Sequence, residues 1–565
     1  MSVYNLQSVS LPRLTGRPLA ALAATLGNGW TRPLLMGKLL RQGGLDGLRS
    51  KVFEEAPAYW PELSPIGDED PAAAAEGASM TAQRGLGDGE GDGDDSAISI
   101  GRIAAAFRRG EATPLAVAER VLDAVAVSER GDSPLRAFVA QDRGDVLAQA
   151  RAATARHASG TPLSVLDGVP IAVKDELDQV PYHTKAGTAF LGARPAVTDA
   201  TVVQRLRAAG AVLIGKANMA EIGINPTGFN PHHGIARNPW NLGHDPGGSS
   251  SGSAVAVAAG LCPAAIGADG GGSIRIPASL CGIVGLKATF GRIPEHGVAP
   301  LCWSVGHVGP LACCAADAAI LYGVIAGPDG GDPNSLRQPR PTLEGIDKAD
   351  LAGLRLGVYS AWFDHCDPEV AAVCHGQVAQ LQDLGALVVE VEIAELEEMR
   401  IAHAISILSE MAASLGQFRE HWDTFAPATR INLEIGAAFG AADFVHAQRM
   451  RRRAVEIFRS VFEQVDAIVS PATAVPSPPI PPGGAACGWS DLATVTELMR
   501  YCFAGNLTGL PAISFPAGFS AGGLPIGMQA MGRPWEEHLL LRIARAAEKT
   551  SERRRPPVCF DLLAR

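Results

Sequence analysis

The sequence predicts an α/β protein: a layered fold in which helices cover a central, mixed and twisted β-sheet, with a helical extension at the N-terminus. Short apolar runs alternate with segments whose apolar residues recur at helical spacing. A strand at 354–359, a helix at 368–384 and a strand at 386–391 form one such βαβ unit. Apolar residues make up 47% of the 565 residues, which suffices for a large buried core.

The chain divides into three segments by composition. In residues 1–63, leucines recur at helical spacing while proline and glycine interrupt them, which predicts short helices. We expect these helices to pack on the main domain, and their Leu, Trp and Arg content leaves a membrane surface or a protein partner as the alternative. Residues 64–95 are acidic and rich in Gly and Asp, which predicts a flexible linker. Residues 96–565 form the main domain.

Regular structure in the main domain begins with two helices, at 99–109 and 114–127. Thr113 is a favourable N-cap for the second helix, and Pro114 is a favourable first helical residue. A short buried strand at 169–173 follows and ends on Lys174. Further predicted elements are helices at 201–209 and 253–261 and strands at 211–214, 467–470 and 512–515.

Charge and composition exclude several classes of protein. The net charge of −11 disfavours nonspecific binding to nucleic acid, so we expect no nucleic-acid partner. No apolar run approaches the ~20 residues of a membrane span, and the N-terminus lacks the pattern of a signal peptide. The ten cysteines show neither a CxxC pair nor a zinc-ligand spacing. We therefore expect a cytoplasmic protein with free thiols, no integral membrane segment and no metal site.

Two short motifs resemble nucleotide-binding and hydrolase sequences but lack the structural context. Residues 210–217 resemble a P-loop, yet the last is Ala217 instead of Ser or Thr, and the middle residues read as a strand. Residues 248–252 match the GxSxG motif around Ser250. That motif requires a preceding strand, whereas residues 238–246 are rich in turn formers. We therefore expect neither nucleotide binding nor a Ser-His-Asp triad.

Glycine and serine are densest at 245–253 and 267–277, close to apolar segments. Ordering glycine costs more backbone entropy than ordering any other residue, so these positions indicate a need for bare backbone. Inward-facing N–H groups can hold an anion, as an amide hydrolase must when attack on a carbonyl creates an oxyanion. The N–H groups of Gly270, Gly271, Gly272 and Ser273 are the predicted donors.

Ser273 closes the glycine run and is the predicted nucleophile, but a serine hydroxyl needs a base. Lys174 can be that base if it is neutral. Because the lysine ends a buried strand, loss of hydration should lower its pKa. Ser249 would relay the proton between Lys174 and Ser273. An ordinary lysine at a strand end is the alternative interpretation of Lys174.

With these motifs, the sequence resembles the amidase signature family over residues 96–565. In that family a lysine in a GVP-(I/V)-x-(V/I)-K-D segment, a cis-peptide serine in GGSS and a nucleophilic serine in GGS-(I/V)-R-x-P form a triad. The matching residues are Lys174, Ser249 and Ser273, which are 75 and 24 residues apart. The resemblance implies the family's layered fold, makes residues 96–565 the catalytic domain, and requires neither metal nor organic cofactor.

The resemblance also implies roles for neighbouring residues. Asp269 and Arg275 flank the nucleophile and would form a network that shapes the glycine loop, while Ser250 would order the loop or the lysine. Gly223 would contact the substrate. Gly270 departs from the pattern, because a larger residue usually occupies its position. Glycine there would make the loop more mobile or open space beside the acyl group.

The expected reaction is hydrolysis of a carboxylic amide C–N bond through an acyl-enzyme on Ser273. Residues 401–453 are predicted to be helical and to cover the cleft, and their small and aliphatic side chains favour a small-molecule amide with an apolar or aryl group. Esters and carbamates would be further substrates. Two alternatives stay open, a glutamine-hydrolysing subunit of a glutamyl-tRNA amidotransferase and a non-catalytic ligand-binding homologue. A homodimer is an open expectation.

Overall fold

A computed structural model describes residues 4–9, 13–61, 98–348 and 350–564. The predicted linker at 64–95 lies outside the described residues. Three short helices precede it: α1 (Gly16–Gly27), α2 (Arg32–Gln42) and α3 (Leu45–Ser50). Among the helices that the structure describes, none combines the length and apolar character that crossing a bilayer requires.

The main domain contains sixteen further α-helices within the described residues. They are α4 (Ile100–Arg108), α5 (Pro114–Ser128), α6 (Arg143–Ala158), α7 (Thr201–Ala208), α8 (Ser251–Ala258), α9 (Arg275–Cys281), α10 (Ala315–Ile325), α11 (Ser360–Phe363), α12 (Pro368–Asp383), α13 (Leu396–Ser414), α14 (Pro427–Gly436), α15 (Ala441–Phe462), α16 (Gly484–Cys487), α17 (Leu492–Met499), α18 (Phe503–Thr508) and α19 (Glu537–Thr550). Short 3₁₀ helices lie at Glu221–Gly223, Pro333–Ser335 and Leu415–Thr424.

Among the described residues, eleven strands form one sheet and two more form a separate pair. The strands are β1 (Leu14–Thr15), β2 (Phe138–Ala140), β3 (Pro170–Lys174), β4 (Val212–Ala217), β5 (Ala264–Ala268), β6 (Val284–Lys287), β7 (Val308–Ala312), β8 (Arg355–Val358), β9 (Leu387–Glu390), β10 (Ala467–Pro471), β11 (Trp489–Ser490), β12 (Ala512–Phe519) and β13 (Pro525–Gly532). The sheet order is β2-β4-β3-β5-β7-β6-β12-β13-β10-β8-β9, and β1 pairs with β11.

The sheet is mixed. Strand β3 runs parallel to β4 and β5, and β8 runs parallel to β9 and β10, while the strands between these groups pair antiparallel. Helices cover the sheet, so the predicted α/β fold is confirmed. The βαβ unit predicted at 354–391 corresponds to β8, α12 and β9. The P-loop-like segment is the buried strand β4, as the sequence predicts.

Strand β3 brings the chemistry-bearing residues together. All five of its residues are buried, as its continuous apolar sequence and its two parallel neighbours require. Val173 pairs with Ile266 of β5, so Lys174 ends its strand beside the segment that continues into the glycine loop. The carboxyl ends of parallel strands meet at one sheet edge, where α/β proteins commonly place their sites.

Several predicted boundaries differ from the structure, among them the end of the strand predicted at 512–515, since β12 extends to Phe519. Helix α8 begins at Ser251, two residues before its predicted start, and ends at Ala258. It ends early because Gly260 takes φ +70°, a left-handed conformation that stops a helix. The strand predicted at 211–214 is longer, since β4 extends to Ala217.

The N-terminal helices pack on the main domain. Leu19, Leu26 and Met36 form an apolar cluster with Ile431 of α14. An ion pair between Arg49 Nε and Asp443 Oδ1, at 2.8 Å, ties α3 to α15. Leu34 of α2 is 80% exposed, so the helical spacing of the leucines does not by itself mark the packing face.

Candidate active site

Lys174 Nζ lies in a buried position with three acceptor groups around it. The residue is 1% exposed. Nζ donates to Ser249 Oγ at 2.9 Å and to the Ala268 carbonyl at 3.1 Å, and it forms an ion pair with Glu176 Oε2 at 2.8 Å. A carbonyl and a carboxylate can only accept, so Ser249 is the one of these three neighbours that can pass a proton to Nζ.

Ser249 follows a cis Gly248–Ser249 peptide bond. A Cβ atom at Gly248 would lie 2.2 Å from the Thr227 carbonyl oxygen, so only glycine fits there. The next residue links the two serine segments, because Ser250 N donates to the Ser273 carbonyl at 3.2 Å and Ser250 Oγ donates to the Ala268 carbonyl at 3.1 Å. Ser250 therefore contacts both the Ser273 carbonyl and the Ala268 carbonyl, which also accepts a hydrogen bond from Lys174.

Ser273 lies between the glycine loop and α9 and is 8% exposed. Within the described residues its hydroxyl group makes no hydrogen bond, whereas its carbonyl binds Ser250 N. The structure thus brings Lys174 and Ser249 into direct contact and places Ser273 one backbone hydrogen bond away from Ser250. The predicted Ser249–Ser273 hydroxyl contact is not formed in this conformation.

The loop 269–274 folds around the carboxylate of Asp269. Gly272 N donates to Asp269 Oδ1 at 2.5 Å, and Ile274 N donates to Asp269 Oδ2 at 3.2 Å. The N–H of Gly272 is therefore engaged, which differs from the prediction that it faces the oxyanion. An aspartate at the start of a turn readily accepts such N–H groups. Among the described residues, the N–H groups of Gly270, Gly271 and Ser273 have no partner.

Asp269 and Arg275 form a fully buried ion pair under the loop. Arg275 Nε lies 3.0 Å from Asp269 Oδ2, and the guanidinium also donates to Gln529 Oε1 at 2.6 Å and Asn506 Oδ1 at 2.5 Å. Burial alone would raise the pKa of Asp269, but the charge and hydrogen bonds of Arg275 outweigh burial and hold this pKa well below its ordinary value. Asp269 is therefore an anion that orders the loop.

Gly223 ends a 3₁₀ turn at φ +68°. A Cβ atom there would lie 3.3 Å from Ser249 Oγ, so glycine keeps space open beside the relay hydroxyl. Gly223 lines a small cavity of about 30 Å³ together with Lys174, Ser249 and Gly270. The predicted lysine, relay serine, loop glycine and Gly223 thus surround one cavity.

A larger cavity of about 180 Å³ lies next to the small one, and Ile407 and Met411 of α13 line both. Five parts of the chain form its walls: the N-terminal segment, residues 224–227, helix α13, Asn432 of α14, and helix α17 with the residues around it. Most of the lining is apolar. The apolar lining residues are Leu6, Ile224, Ala404, Ile407, Leu408, Met411, Trp489, Leu492, Val495, Met499 and Phe503.

The charged residues at this larger cavity all have partners. Arg400 pairs with Glu397. Asp491 pairs with Arg13 at 2.6 Å. Arg500 pairs with Glu497 at 2.5 Å. The cavity therefore has an apolar interior whose charges are neutralised locally.

A protein-family model described as Amidase matches residues 119–541. The chain belongs to the amidase family. This amidase accordingly hydrolyses carboxylic amide C–N bonds, and the predicted resemblance is confirmed.

Similar proteins cover the amidase to different extents. It is 38% identical over 586 residues to a protein named fatty acid amide hydrolase from Oryza sativa subsp. indica, covering 99% of this chain and 96% of the relative. It is 36% identical over 487 residues to a glutamyl-tRNA(Gln) amidotransferase component from Symbiobacterium thermophilum, covering 80% of this chain and 97% of that relative.

A solved structure resembles the amidase over most of its length. Its description reports an unexpected vestigial protein complex that reveals the evolutionary origins of an s-triazine catabolic enzyme. The TM-score is 0.75 at 32% identity, covering 81% of this chain and 100% of that chain.

Sequence reasoning missed four residues that contact the site of the amidase. Glu176 follows Lys174 by two positions, so its carboxylate could have been noticed as a close partner. Nothing in the sequence assigns the contact of Asn506 with Arg275. Gln529 and His403 reach the loop from distant strands and helices. Only the tertiary fold shows their proximity.

Cys313, Cys314 and Asp317 form a cluster whose ligand atoms lie within 4.8 Å of one another. Within the cluster the Cys313 thiol donates to Asp317 Oδ2 at 3.2 Å. A hydrogen bond with Cys314 and burial raise the pKa of Cys313 well above its ordinary value. Asp317 also accepts the Ile100 N–H at 2.8 Å at the start of α4, which gives the cluster a structural role in the amidase.

Proposed function

We propose that this amidase hydrolyses amides of apolar, fatty acyl groups, with Ser273 as nucleophile, Ser249 as proton relay and Lys174 as base. The observation that carries the proposal is the hydrogen bond of 2.9 Å between Lys174 Nζ and Ser249 Oγ beside a glycine loop that ends on Ser273. In its neutral form Lys174 would donate its two hydrogens to the Ala268 carbonyl and the Glu176 carboxylate, which leaves its lone pair to accept the hydrogen of the Ser249 hydroxyl. The apolar cavity beside it supplies the acyl site.

In the first step Ser273 Oγ attacks the amide carbonyl carbon. Its proton passes to Ser249, whose own proton passes to Lys174, so that the charge moves to a buried ammonium next to Glu176. The proton then returns through Ser249 to the leaving nitrogen as the C–N bond breaks. Water attacks the acyl-enzyme by the same route, which releases the carboxylic acid and restores Ser273.

The oxyanion of the tetrahedral intermediate needs fixed donors. The free N–H groups of Gly270, Gly271 and Ser273 fit this role, and loss of one such donor typically costs ~10²–10³ in kcat. Gly272 supports them indirectly, because its N–H holds the loop on Asp269. Arg275 in turn fixes Asp269.

Three observations support a fatty acyl group. The cavity of about 180 Å³ exceeds the ~150 Å³ apolar cavity that accepts benzene in another protein. Arg400, Asp491 and Arg500 each pair with an oppositely charged neighbour, so the cavity attracts a charged ligand such as glutamine less than unpaired charges would. The relative named fatty acid amide hydrolase aligns over 99% of this chain, whereas the amidotransferase relative aligns over 80%.

The test is a panel of decanoyl p-nitroanilide, acetyl p-nitroanilide, decanoyl ester, decanoyl carbamate and glutamine, with the purified enzyme and its Ser273→Ala variant. We expect kcat/KM for the decanoyl anilide to exceed that for the acetyl anilide by at least ~10-fold, since each buried methylene contributes ~0.8 kcal/mol. Equal values, or preference for glutamine, would contradict the proposed substrate. Activity of the Ser273→Ala variant would contradict the proposed nucleophile.

Labelling by a fluorophosphonate separates an enzyme from a ligand-binding homologue. The proposal requires one label on Ser273, and none on the Ser273→Ala variant. A homodimer and a cytoplasmic location remain predictions from the sequence, which light scattering and cell fractionation would check.

A further inference from the structure

A histidine outside the triad holds one carbonyl of the glycine loop. His403, on α13, is 2% exposed, and its Nε2 lies 2.7 Å from the Gly270 carbonyl oxygen. Among the described residues this is the one hydrogen bond that the Gly270 carbonyl makes. The sequence places the two residues 133 positions apart, so no local motif points to the contact.

The contact fixes the tautomer of the histidine. A carbonyl can only accept a hydrogen bond, so Nε2 must carry the hydrogen. Burial lowers the pKa of His403 to about 4, against the opposing effect of the bond to Gly270, so the ring is neutral at pH 7. His403 also lines the larger cavity.

The hydrogen bond from His403 to the Gly270 carbonyl also fixes the orientation of the whole Gly270–Gly271 peptide group. The Gly270 carbonyl and the Gly271 N–H belong to one planar trans peptide, in which the two groups point in opposite directions. A donor that fixes the carbonyl on the side of His403 therefore fixes the N–H on the opposite side. Gly271 N–H is one of the three free donors of the loop.

Both ends of this peptide are glycines, which adopt many backbone conformations, so the peptide could rotate if nothing held it. The space that side chains would need is filled. A Cβ atom at Gly271 would lie 2.9 Å from His403 Cε1 and 2.7 Å from Met499 Cε. A Cβ atom at Gly270 would lie 3.1 Å from Ile407 Cδ1 and 3.2 Å from Cys302 Sγ.

We propose that His403 is a positioning residue, which orients the Gly270–Gly271 peptide so that the Gly271 N–H faces the carbonyl oxygen under attack. The inference rests on the proposed role of Ser273. The proposal also explains how the loop stays ordered although glycine occupies position 270, where the family usually has a larger residue. The hydrogen bond from His403 restricts the loop in place of the contacts that a side chain at 270 would make.

The experiment compares His403→Leu, which removes the donor, with His403→Gln, whose amide nitrogen can reach the same carbonyl. With decanoyl p-nitroanilide we expect His403→Leu to lower kcat by about 10- to 100-fold while KM changes less than about twofold, because the lost interaction acts in the transition state. His403→Gln should retain kcat within about fivefold. Affinity for decylboronic acid, whose adduct on Ser273 imitates the oxyanion, should fall in His403→Leu by the same factor as kcat.

Ser406→Ala is the matched control, because Ser406 is a buried polar residue of the same helix whose hydroxyl donates to the Ala402 carbonyl and accepts from Gln448 Nε2 instead of contacting the glycine loop. It should lower the melting temperature without changing kcat. Equal losses of kcat in His403→Leu and His403→Gln, or a rise in KM with kcat unchanged, would assign His403 to packing and overturn the proposal.

A measurement on the wild-type protein keeps the proposal testable if His403→Leu does not fold. In ¹⁵N-histidine spectra, the resonances that disappear in His403→Gln should show hydrogen on Nε2 and none on Nδ1 at pH 7. Hydrogen on Nδ1 would overturn the proposal. This result does not depend on activity, so it stays distinct from failure of the proposed function, which the Ser273→Ala control reports.

Discussion

The reaction centre and the apolar cavity beside it are built in opposite ways. The centre uses three short segments that meet at the carboxyl ends of β3 and β5. Hydrogen bonds and two buried ion pairs, Asp269–Arg275 and Lys174–Glu176, order these segments, while the Ser273 hydroxyl and three loop N–H groups have no partner among the described residues. The cavity is assembled from α13, α17 and residues near the N-terminus, which touch it mostly through apolar side chains. Cleavage of the amide bond thus depends on hydrogen bonds between segments at the ends of β3 and β5. The choice of substrate depends on the packing of parts of the chain that are distant in sequence.

The largest expected effect comes from removing the groups that react. Ser273→Ala should lower kcat by ~10⁴-fold or more, and Lys174→Ala by a similar order, because triad members act as a unit. Stability should change little in Ser273→Ala, since its hydroxyl makes no hydrogen bond within the described residues. Rates with decanoyl p-nitroanilide and thermal melts measure both. Loss of activity accompanied by unfolding would mean that these side chains stabilise the fold, and it would contradict the proposed difference between the centre and the cavity.

Breaking the ion pair under the loop should be the next largest effect. Arg275→Met leaves the Asp269 carboxylate buried and unpaired, which typically costs ~3–5 kcal/mol of unfolding free energy. Urea denaturation measures this cost. Arg554→Met serves as the control, because that arginine pairs with Glu552 at the surface, where solvent screens the pair, and its loss should change the unfolding free energy much less. Equal effects of the two changes would show that the centre is no more ordered than the surface.

Filling the cavity should change substrate choice and leave the chemistry intact. Ala404→Phe places a ring in the space that we assign to the acyl chain, so KM for decanoyl p-nitroanilide should rise by about 10-fold. The acetyl analogue is too short to reach this space, and its kcat/KM should stay within about twofold. A parallel loss for both substrates would mean that the two regions are not separable.

The smallest expected effect concerns the pH dependence of stability. Burial raises the pKa of Asp245 to about 7, against hydrogen bonds from Gly228 and Gly247 that lower it. Between about pH 4 and 7, Asp245 is protonated in the folded state and ionised in the unfolded state. Its contribution to the free energy of unfolding is therefore fully present below about pH 4 and is lost as the pH rises towards 7. The melting temperature should fall by about 1–3 °C over this range.

Asp245→Asn removes the titrating group, so its melting temperature should depend less on pH than that of the wild type. Differential scanning fluorimetry from pH 4.5 to 8 compares the two proteins. Identical pH profiles would mean that Asp245 titrates near its ordinary value. The segment 245–253 would then be more accessible to solvent than the structure indicates.

The same contrast explains what the sequence could predict. Lys174, Ser249 and Ser273 lie in short segments whose glycines and buried neighbours are visible in the sequence, and β3 forms where its apolar run predicts it. The use of the Gly272 N–H by Asp269 could not be predicted, because it depends on the dihedral angles of one loop. His403 could not be found either, since its contact arises from the packing of α13.

Leu6 and Gln7 line the larger cavity, although they are more than about 160 residues away in sequence from Lys174, Ser249 and Ser273. Natural variation in those few amino acids could retune which acyl chains are accepted while the catalytic machinery stays untouched. Removing residues 4–61 would also take Leu6, Leu48 and Phe53 out of the apolar core that supports α13, so variants for such studies should keep these residues.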